Sequence, residues 1–262
     1  MDQYWEGPAT GPVCPECNGT GWKIVEQEEL SGARRCGCVA VDRANRVIAG
    51  SDIPLLYQEA AFDNFLLPRD NPIAYRELTE VYMTVRAYAR EFPNTKKPGI
   101  LLMGDTGTGK THLAVAAFRA ILAKGFEGIF FDYQNLLDRI RQGYDSTSNS
   151  TDKETYRVAL DKEILLLDDL GAHRVTDWVE DTVTSIITYR CNNRKPLIAT
   201  TNLIDQDAGY NTFEKGAAGK MDHRTTLTER IGPRARSRLF EMCRVVKMPV
   251  IEDYRIRKQG PA

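Results

Sequence analysis

From residue 98 onward the chain alternates short apolar runs with longer segments of mixed spacing. "GILLM", "GIFFD", "EILLL" and "PLIATT" are mostly aliphatic or β-branched, the pattern of strands buried on both faces. Between and after them, "KTHLAVAAFRAILAKG", "YQNLLDRIRQG" and "WVEDTVTSIITYRCNN" carry apolar residues at helical spacing. Strands that alternate with helices predict βαβ units, hence an α/β fold with a mainly parallel sheet flanked by helices. Upstream, "YRELTEVYMTVRAYAREF" reads as an amphipathic helix opened by Asn71 and Pro72, since proline suits the first helical position.

The breaks are as informative as the runs. "GSDIP" and "LLPRDNP" make residues 46–70 read as a linker, and "YDSTSNSTD" as an exposed polar loop. Residues 205–224 are polar and glycine-rich, an irregular insertion. Gly232-Pro233 should interrupt the last helical segment. Four of the six cysteines lie between Cys14 and Cys38, which sets residues 1–45 apart as a small module before a domain over 71–262.

Composition narrows the class only slightly. The 42% hydrophobic content is enough for a core, and the formal net charge of −1 supplies no global field for nucleic acid, so any such surface is a local patch. No basic start leads into an apolar stretch, and no run approaches the roughly 20 apolar residues that cross a bilayer. These features predict a cytoplasmic chain with no membrane partner.

"GDTGTGKT" fits G-x-x-x-x-G-K-[ST] at each fixed position, after one expected strand and at the start of the next expected helix. In such a loop the backbone N–H groups of Gly104, Asp105, Thr106, Gly107, Thr108 and Gly109 wrap phosphates at a positively polarised helix end. Lys110 reaches the β- and γ-phosphates and the Thr111 hydroxyl faces Mg²⁺. His112 completes the stretch. The chain is therefore expected to bind ATP with Mg²⁺.

"EILLLDDLG" ends a buried run in two carboxylates. Asp168, at a strand's C-terminal end, is the expected acid for Mg²⁺. Asp169 would orient or deprotonate the attacking water, and the alternative is that it caps the following turn. It is one methylene shorter than the glutamate found in many such ATPases, which predicts slow hydrolysis. Asn202 closes "PLIATTN" and would touch the γ-phosphate or the water; a strand-end turn is the alternative.

"CPECNGTGWKIVEQEELSGARRCGC" spaces Cys14, Cys17, Cys36 and Cys38 as C-x2-C and C-x-C across a gap of 18 residues. Two close thiol pairs can close a tetrahedral, structural Zn²⁺ site, and metal binding would supply folding energy that so small a module lacks. Free thiols or a redox pair are the alternative. Tyr133, Arg139, Arg141 and Tyr144 mix rings with cations as single-strand binders do, although a solvated helix face would look the same.

Taken together and in this order, "GDTGTGKTH", "LLLDDLG", "TTN", "RARSRL" and "DYR" resemble the AAA+ ATPases of the DnaC/DnaI type. These are bacterial replicative helicase loaders, with the transposition helper IstB a close cousin, and the resemblance covers roughly residues 60–258. It implies an AAA+ P-loop NTPase behind the zinc-binding module, with Asn202 as sensor-1 and Arg255 as sensor-2. It puts Arg238, with Arg234 as companion, in the arginine-finger position, although Arg230 and Arg236 stand close by. "FDNF", Phe62 to Phe65, would border the adenine pocket. The implied partners are a DnaB-type helicase docked by the zinc module, single-stranded DNA, and further copies in an ATP-dependent oligomer. The transposition helper on duplex DNA and an ATP-switched adaptor with little turnover are the competing functions.

Overall fold

The computed structural model describes residues 13–27, 30–143, 151–209, 213–215, 221–251 and 253–254. Its elements in chain order are β1 (Trp22–Gln27), β2 (Leu30–Arg35), α1 (Gly37–Ala49), α2 (Pro72–Glu91), β3 (Gly99–Met103), α3 (Lys110–Leu122), β4 (Gly128–Asp132) and α4 (Tyr133–Gln142). There follow α5 (Thr151–Asp161), β5 (Ile164–Asp168), α6 (Asp177–Asn192), β6 (Leu197–Thr201), β7 (Phe213–Lys215), β8 (Met221–His223), α7 (Leu227–Met242) and β9 (Cys243–Lys247). The chain divides into two compact units, Met1–Arg46 and Val47–Ala262, with the division falling inside α1.

In the second unit, five strands pair in the order β4-β5-β6-β3-β9, every neighbour parallel. Successive strand residues face opposite sides of a sheet, and here both sides are covered. Leu101, Met103, Leu165, Leu167 and Ala199 pack with α4, α6 and α7, whereas Ile100, Leu102, Leu166, Ile198 and Val246 pack with α2 and α3. The strands β3 to β6 are thus apolar up to their C-terminal ends, where Asp132, Asp168, Thr200 and Thr201 stand, whereas edge strand β9 exposes Arg244 and Lys247. Helix starts follow side-chain chemistry: Asn71, Asp132, Thr176 and Thr226 each accept a backbone N–H at the N-caps of α2, α4, α6 and α7. The N-cap of α3 is Gly109 in the left-handed region, with no side-chain cap, so its first amides stay open to a ligand.

Three segments depart from the sequence reading. Residues 51–67 pack on the second unit instead of spanning a gap: Ile53 and Ala60 are buried, and the Ala60 and Ala61 carbonyls accept from Arg119 and pair with His112. Of the expected polar loop over residues 144–152, residues 144–150 lie outside the described residues, and α5 begins at Thr151; its sequence is mostly polar, with Thr155 and Ala159 buried. Within the insertion, β7 and β8 form a short antiparallel pair. The expected break in α7 is present: Gly232 has φ 79° and ψ 156°, and a Cβ there would collide with the Glu180 carboxylate.

Arg190 on α6 is fully buried without an acid facing it in a hydrogen bond. Its guanidinium donates to the carbonyls of Ala159, Leu160, Lys162, Glu163 and Pro196 at 2.6 to 3.2 Å. These are the carbonyls left over where α5 ends and where β5 and β6 begin. Burial pulls its pKa down to about 10. Arg190→Met should lower the urea-unfolding free energy by about 3 kcal/mol, because several buried carbonyls lose their donor at once. A loss under about 0.5 kcal/mol would mean water satisfies those carbonyls equally well.

Candidate functional site

The phosphate-type loop runs from Gly104 to Thr111, between β3 and α3. Gly107 and Gly109 take φ of 76° and 88°, which a side chain would resist, and a Cβ at Gly109 would press within 2.7 Å of the Phe65 ring. Lys110 is buried and its Nζ donates to the Asp105 carbonyl at 2.8 Å, as does the Thr108 hydroxyl, also at 2.8 Å. Beside the loop, Phe65, Leu66, Leu78, His112, Ile251 and Tyr254 line a largely apolar recess suited to a flat heteroaromatic base. His112 Nε2 lies 2.9 Å from the Ala61 carbonyl, and the Tyr254 amide donates to the Gly107 carbonyl at 3.1 Å.

The sheet order explains how the remaining groups reach this loop. Because β6 lies between β3 and β5, its C-terminal residues stand between the loop and the paired acids. Asp168 Oδ1 accepts from the Thr111 hydroxyl at 2.9 Å and from the Thr200 hydroxyl at 2.5 Å. Burial pushes the Asp168 carboxyl up, and the two hydroxyl hydrogen bonds oppose that rise without cancelling it. A serine or threonine hydroxyl against a buried carboxylate is a donor set for Mg²⁺.

Asp169 adopts the left-handed region, φ 56°, and its amide donates to the Thr200 hydroxyl at 3.0 Å. Its carboxylate accepts from Asn202 Nδ2 at 2.8 Å, so the side chain turns toward the end of β6. The turn itself is closed by backbone, Ala172 amide to Asp169 carbonyl at 3.0 Å. Lys110, Thr111, Asp168, Asp169 and Asn202 all line one open cavity with Thr106 and Gly107. Thr200 was not anticipated as a site residue; the only hint was its place one β-period before Asn202 in "TTN".

The four arginines of α7 separate by their partners. Arg236 makes a two-pronged ion pair with Asp205, at 2.6 and 3.0 Å, reaches Asp207 at 2.5 Å and stacks 4.1 Å from the Phe240 ring. Arg230 reaches the His173 carbonyl at 3.4 Å. Arg234 is exposed, and so is Arg238, which pairs with Glu241 one turn on at 2.7 Å. Arg255 lies outside the described residues.

The expected single-strand contacts need one correction. Tyr133 is fully buried at the start of α4, packed with Leu136, Leu137 and Ile140, because its ring faces the sheet and not solvent. It is a core residue and not a nucleic-acid contact. Arg139 sits 5.6 Å from the Phe131 ring and Arg141 4.9 Å from the Trp178 ring, both on α4. Tyr144 lies outside the described residues.

In the first unit, β1 and β2 pair antiparallel and bring both cysteine pairs together. The four sulfurs lie within 4.8 Å of one another, with Cys14 to Cys36 at 3.8 Å and Cys17 to Cys38 at 3.4 Å. A tetrahedral Zn²⁺ with ~2.3 Å sulfur bonds has edges of roughly 3.8 Å, so the donor set fits that ion. The Gly21 amide donates to Cys17 Sγ at 3.3 Å, as a thiolate ligand needs. Among the described residues of this unit only Cys17 and Cys36 are buried, so the cluster itself is the core.

Comparison with known proteins agrees with this geometry. The family model "IstB-like ATP binding protein" matches residues 88–217. The phage-like element PBSX protein XkdC of Bacillus subtilis is 26% identical over 85% of this chain and 90% of its own. The replicative helicase loader DnaC of Buchnera aphidicola from Acyrthosiphon pisum is 24% identical over 62% of this chain and 63% of its own. A crystal structure of the DnaC helicase loader superposes with a TM-score of 0.58 at 30% identity, over 75% of this chain and all of that one. With full coverage at that identity, the chain belongs to the DnaC-type AAA+ ATPase family.

Proposed function

We propose that this protein is an ATP-dependent loader that places a DnaB-type replicative helicase on single-stranded DNA during replication initiation or restart. The observation that carries the reading is the joint hydrogen-bonded cluster of Thr111, Asp168, Asp169, Thr200 and Asn202 beside the phosphate-type loop, in a chain of the DnaC type. Thr111 and Asp168 hold Mg²⁺, which supplies charge neutralisation on the β- and γ-phosphates. Lys110 shifts from the Asp105 carbonyl to those phosphates. Asp169 takes a proton from the attacking water, and Asn202, already bonded to that carboxylate, orients it against the γ-phosphoryl group.

In this reading Arg238, with Arg234, reaches from α7 into the site of a neighbouring copy, so turnover is slow in isolation and rises on assembly or on DNA. Arg255 acts within its own subunit. Residues 1–45 form the zinc-dependent docking arm for the helicase, residues 71–262 the ATPase domain, and the whole works in the cytoplasm. Arg139 and Arg141 remain the DNA-facing cations. The IstB-like family match supports a second reading, a transposition helper acting on duplex DNA.

Asp169→Asn should leave ATP affinity within about twofold and lower turnover by at least ~100-fold, the usual worth of a general base. Binding by fluorescent nucleotide and phosphate release measure the two, and unchanged release would remove Asp169 from the chemistry. Asp168→Asn should abolish Mg²⁺-dependent turnover yet raise the melting temperature of the nucleotide-free protein at neutral pH. The sign follows from its raised pKa: the native carboxyl contributes stability at acid pH and loses it as pH rises through that value. The gain should therefore shrink toward acid pH, and a melting temperature insensitive to the substitution at every pH would contradict the buried charge. Native mass of the protein mixed with its host's DnaB-type helicase and ATP should reveal a complex that Cys14→Ser with Cys17→Ser removes. No complex under any nucleotide condition would turn the reading to the transposition helper.

A further inference from the structure

We propose that the Asp205–Arg236 ion pair is a positioning pair that passes the state of the ATP site to the exposed arginines of α7. The inference deepens the ATPase reading and rests on it.

The path is short and each step is a contact. Asn202 donates to the Asp169 carboxylate, and two residues later Ile204, fully buried, forms a parallel bridge with Thr226, the N-cap of α7. The Leu227 amide donates to the Ile204 carbonyl at 2.9 Å. Asp205, itself buried, then grips Arg236 in the middle of the helix with both carboxylate oxygens. The segment that leaves β6 is thus tied to α7 at its first turn and again nine residues further along. The second tie lies beyond the break at Gly232, so a displacement of Asn202 reaches the half of α7 that carries Arg234 and Arg238 directly through Asp205.

Helix geometry decides what that displacement moves. Arg234 and Arg238 are one turn apart and share a face, while Arg236, two residues from each, points to the opposite side. Arg236 is gripped from outside the helix by Asp205 and Asp207 and is braced within it by the Phe240 ring one turn on; the opposite face presents two exposed guanidinium groups. Buried ion pairs contribute little net stability compared with apolar replacements, so stability alone does not account for a charged clamp here. A bidentate arginine fixes direction as well as distance, which is what a positioning element needs.

Hydrogen exchange on the full chain, with and without a non-hydrolysable ATP analogue and Mg²⁺, tests the pair. In the parent protein the analogue should slow exchange both in residues 104–111 and in residues 227–242. Arg236→Gln, which keeps a planar group over Phe240, should retain the slowing at 104–111 and lose it at 227–242. Asn202→Ala should reproduce that loss while the exchange of α7 without nucleotide stays at the parent rate, a result that mere weakening of α7 cannot give. Arg236→Lys, with charge but no fork, should recover part of the response. Slowing of α7 that persists in Arg236→Gln, or that is absent from the parent while residues 104–111 respond, overturns the relay. No slowing at 104–111 in the parent overturns the nucleotide reading itself, and the relay with it.

Discussion

A carboxylate that is only 9% exposed sits at the end of a hydrophobic sheet, and much of this molecule is arranged around it. Asp168 cannot keep its charge there without donors, and two hydroxyls supply them: Thr111 from the first turn of α3 and Thr200 from β6. Neither hydroxyl would be within reach in another strand order. β6 must lie between β3 and β5 for Thr200 to meet Asp168, and β3 must adjoin β6 for the loop to bring Thr111 across. The topology of the sheet and the electrostatics of one side chain are the same constraint seen at two scales.

That constraint also fixes how the site connects to the rest of the fold. Thr200 donates to Asp168 and accepts from the amide of Asp169, which holds Asp169 in a left-handed conformation and aims its carboxylate at Asn202. The end of β6 and the residue just after it therefore supply one group that satisfies the buried acid and another that bonds the half-buried one. Beyond Asn202 the chain docks on α7 through Ile204 and Asp205. Asn202 is thus two residues from Ile204 and three from Asp205, the residues that touch the helix carrying Arg234 and Arg238. The links from this segment to α7 are the Ile204–Thr226 bridge and the Asp205–Arg236 pair, both noncovalent and both starting within three residues of Asn202.

What the sequence made legible was whatever is contiguous or periodic. The phosphate-type loop, the acid pair and the four cysteines are local patterns whose spacing alone narrows each to one or two chemical interpretations. The strands β3 to β6 were legible because burial on both faces keeps polar residues to their C-terminal ends, as at Asp132, Asp168 and Thr200. Sequence reading failed where a residue's role depends on a distant partner. Tyr133 looked like a surface ring because cations follow it, yet the turn from β4 into α4 points it inward. Arg236 was indistinguishable from its neighbours until Asp205 and Asp207 claimed it. Helix α5 buries only Thr155 and Ala159 among its described side chains, which leaves little periodic signal, and β7 pairs with β8 across a stretch whose composition is polar and glycine-rich.

The two units rest on different physics, and this bears on how they can work together. The second is held by a sheet with an apolar layer on each face, a core that needs no ligand. The first buries only Cys17 and Cys36 among its described residues, while Trp22, Ile24, Val25 and Val41 stay exposed. With so little apolar surface removed from water, this is a fold to which bonds from the four clustered thiols to a metal would add stability that its core does not supply. Apolar groups left exposed on a metal-held scaffold are free to make contacts elsewhere, since the scaffold does not depend on burying them. A unit built this way can present a hydrophobic surface without drawing on a buried core, whereas the second unit exposes Leu55, Leu56, Ile73 and Val250 over a core that is already closed by other residues.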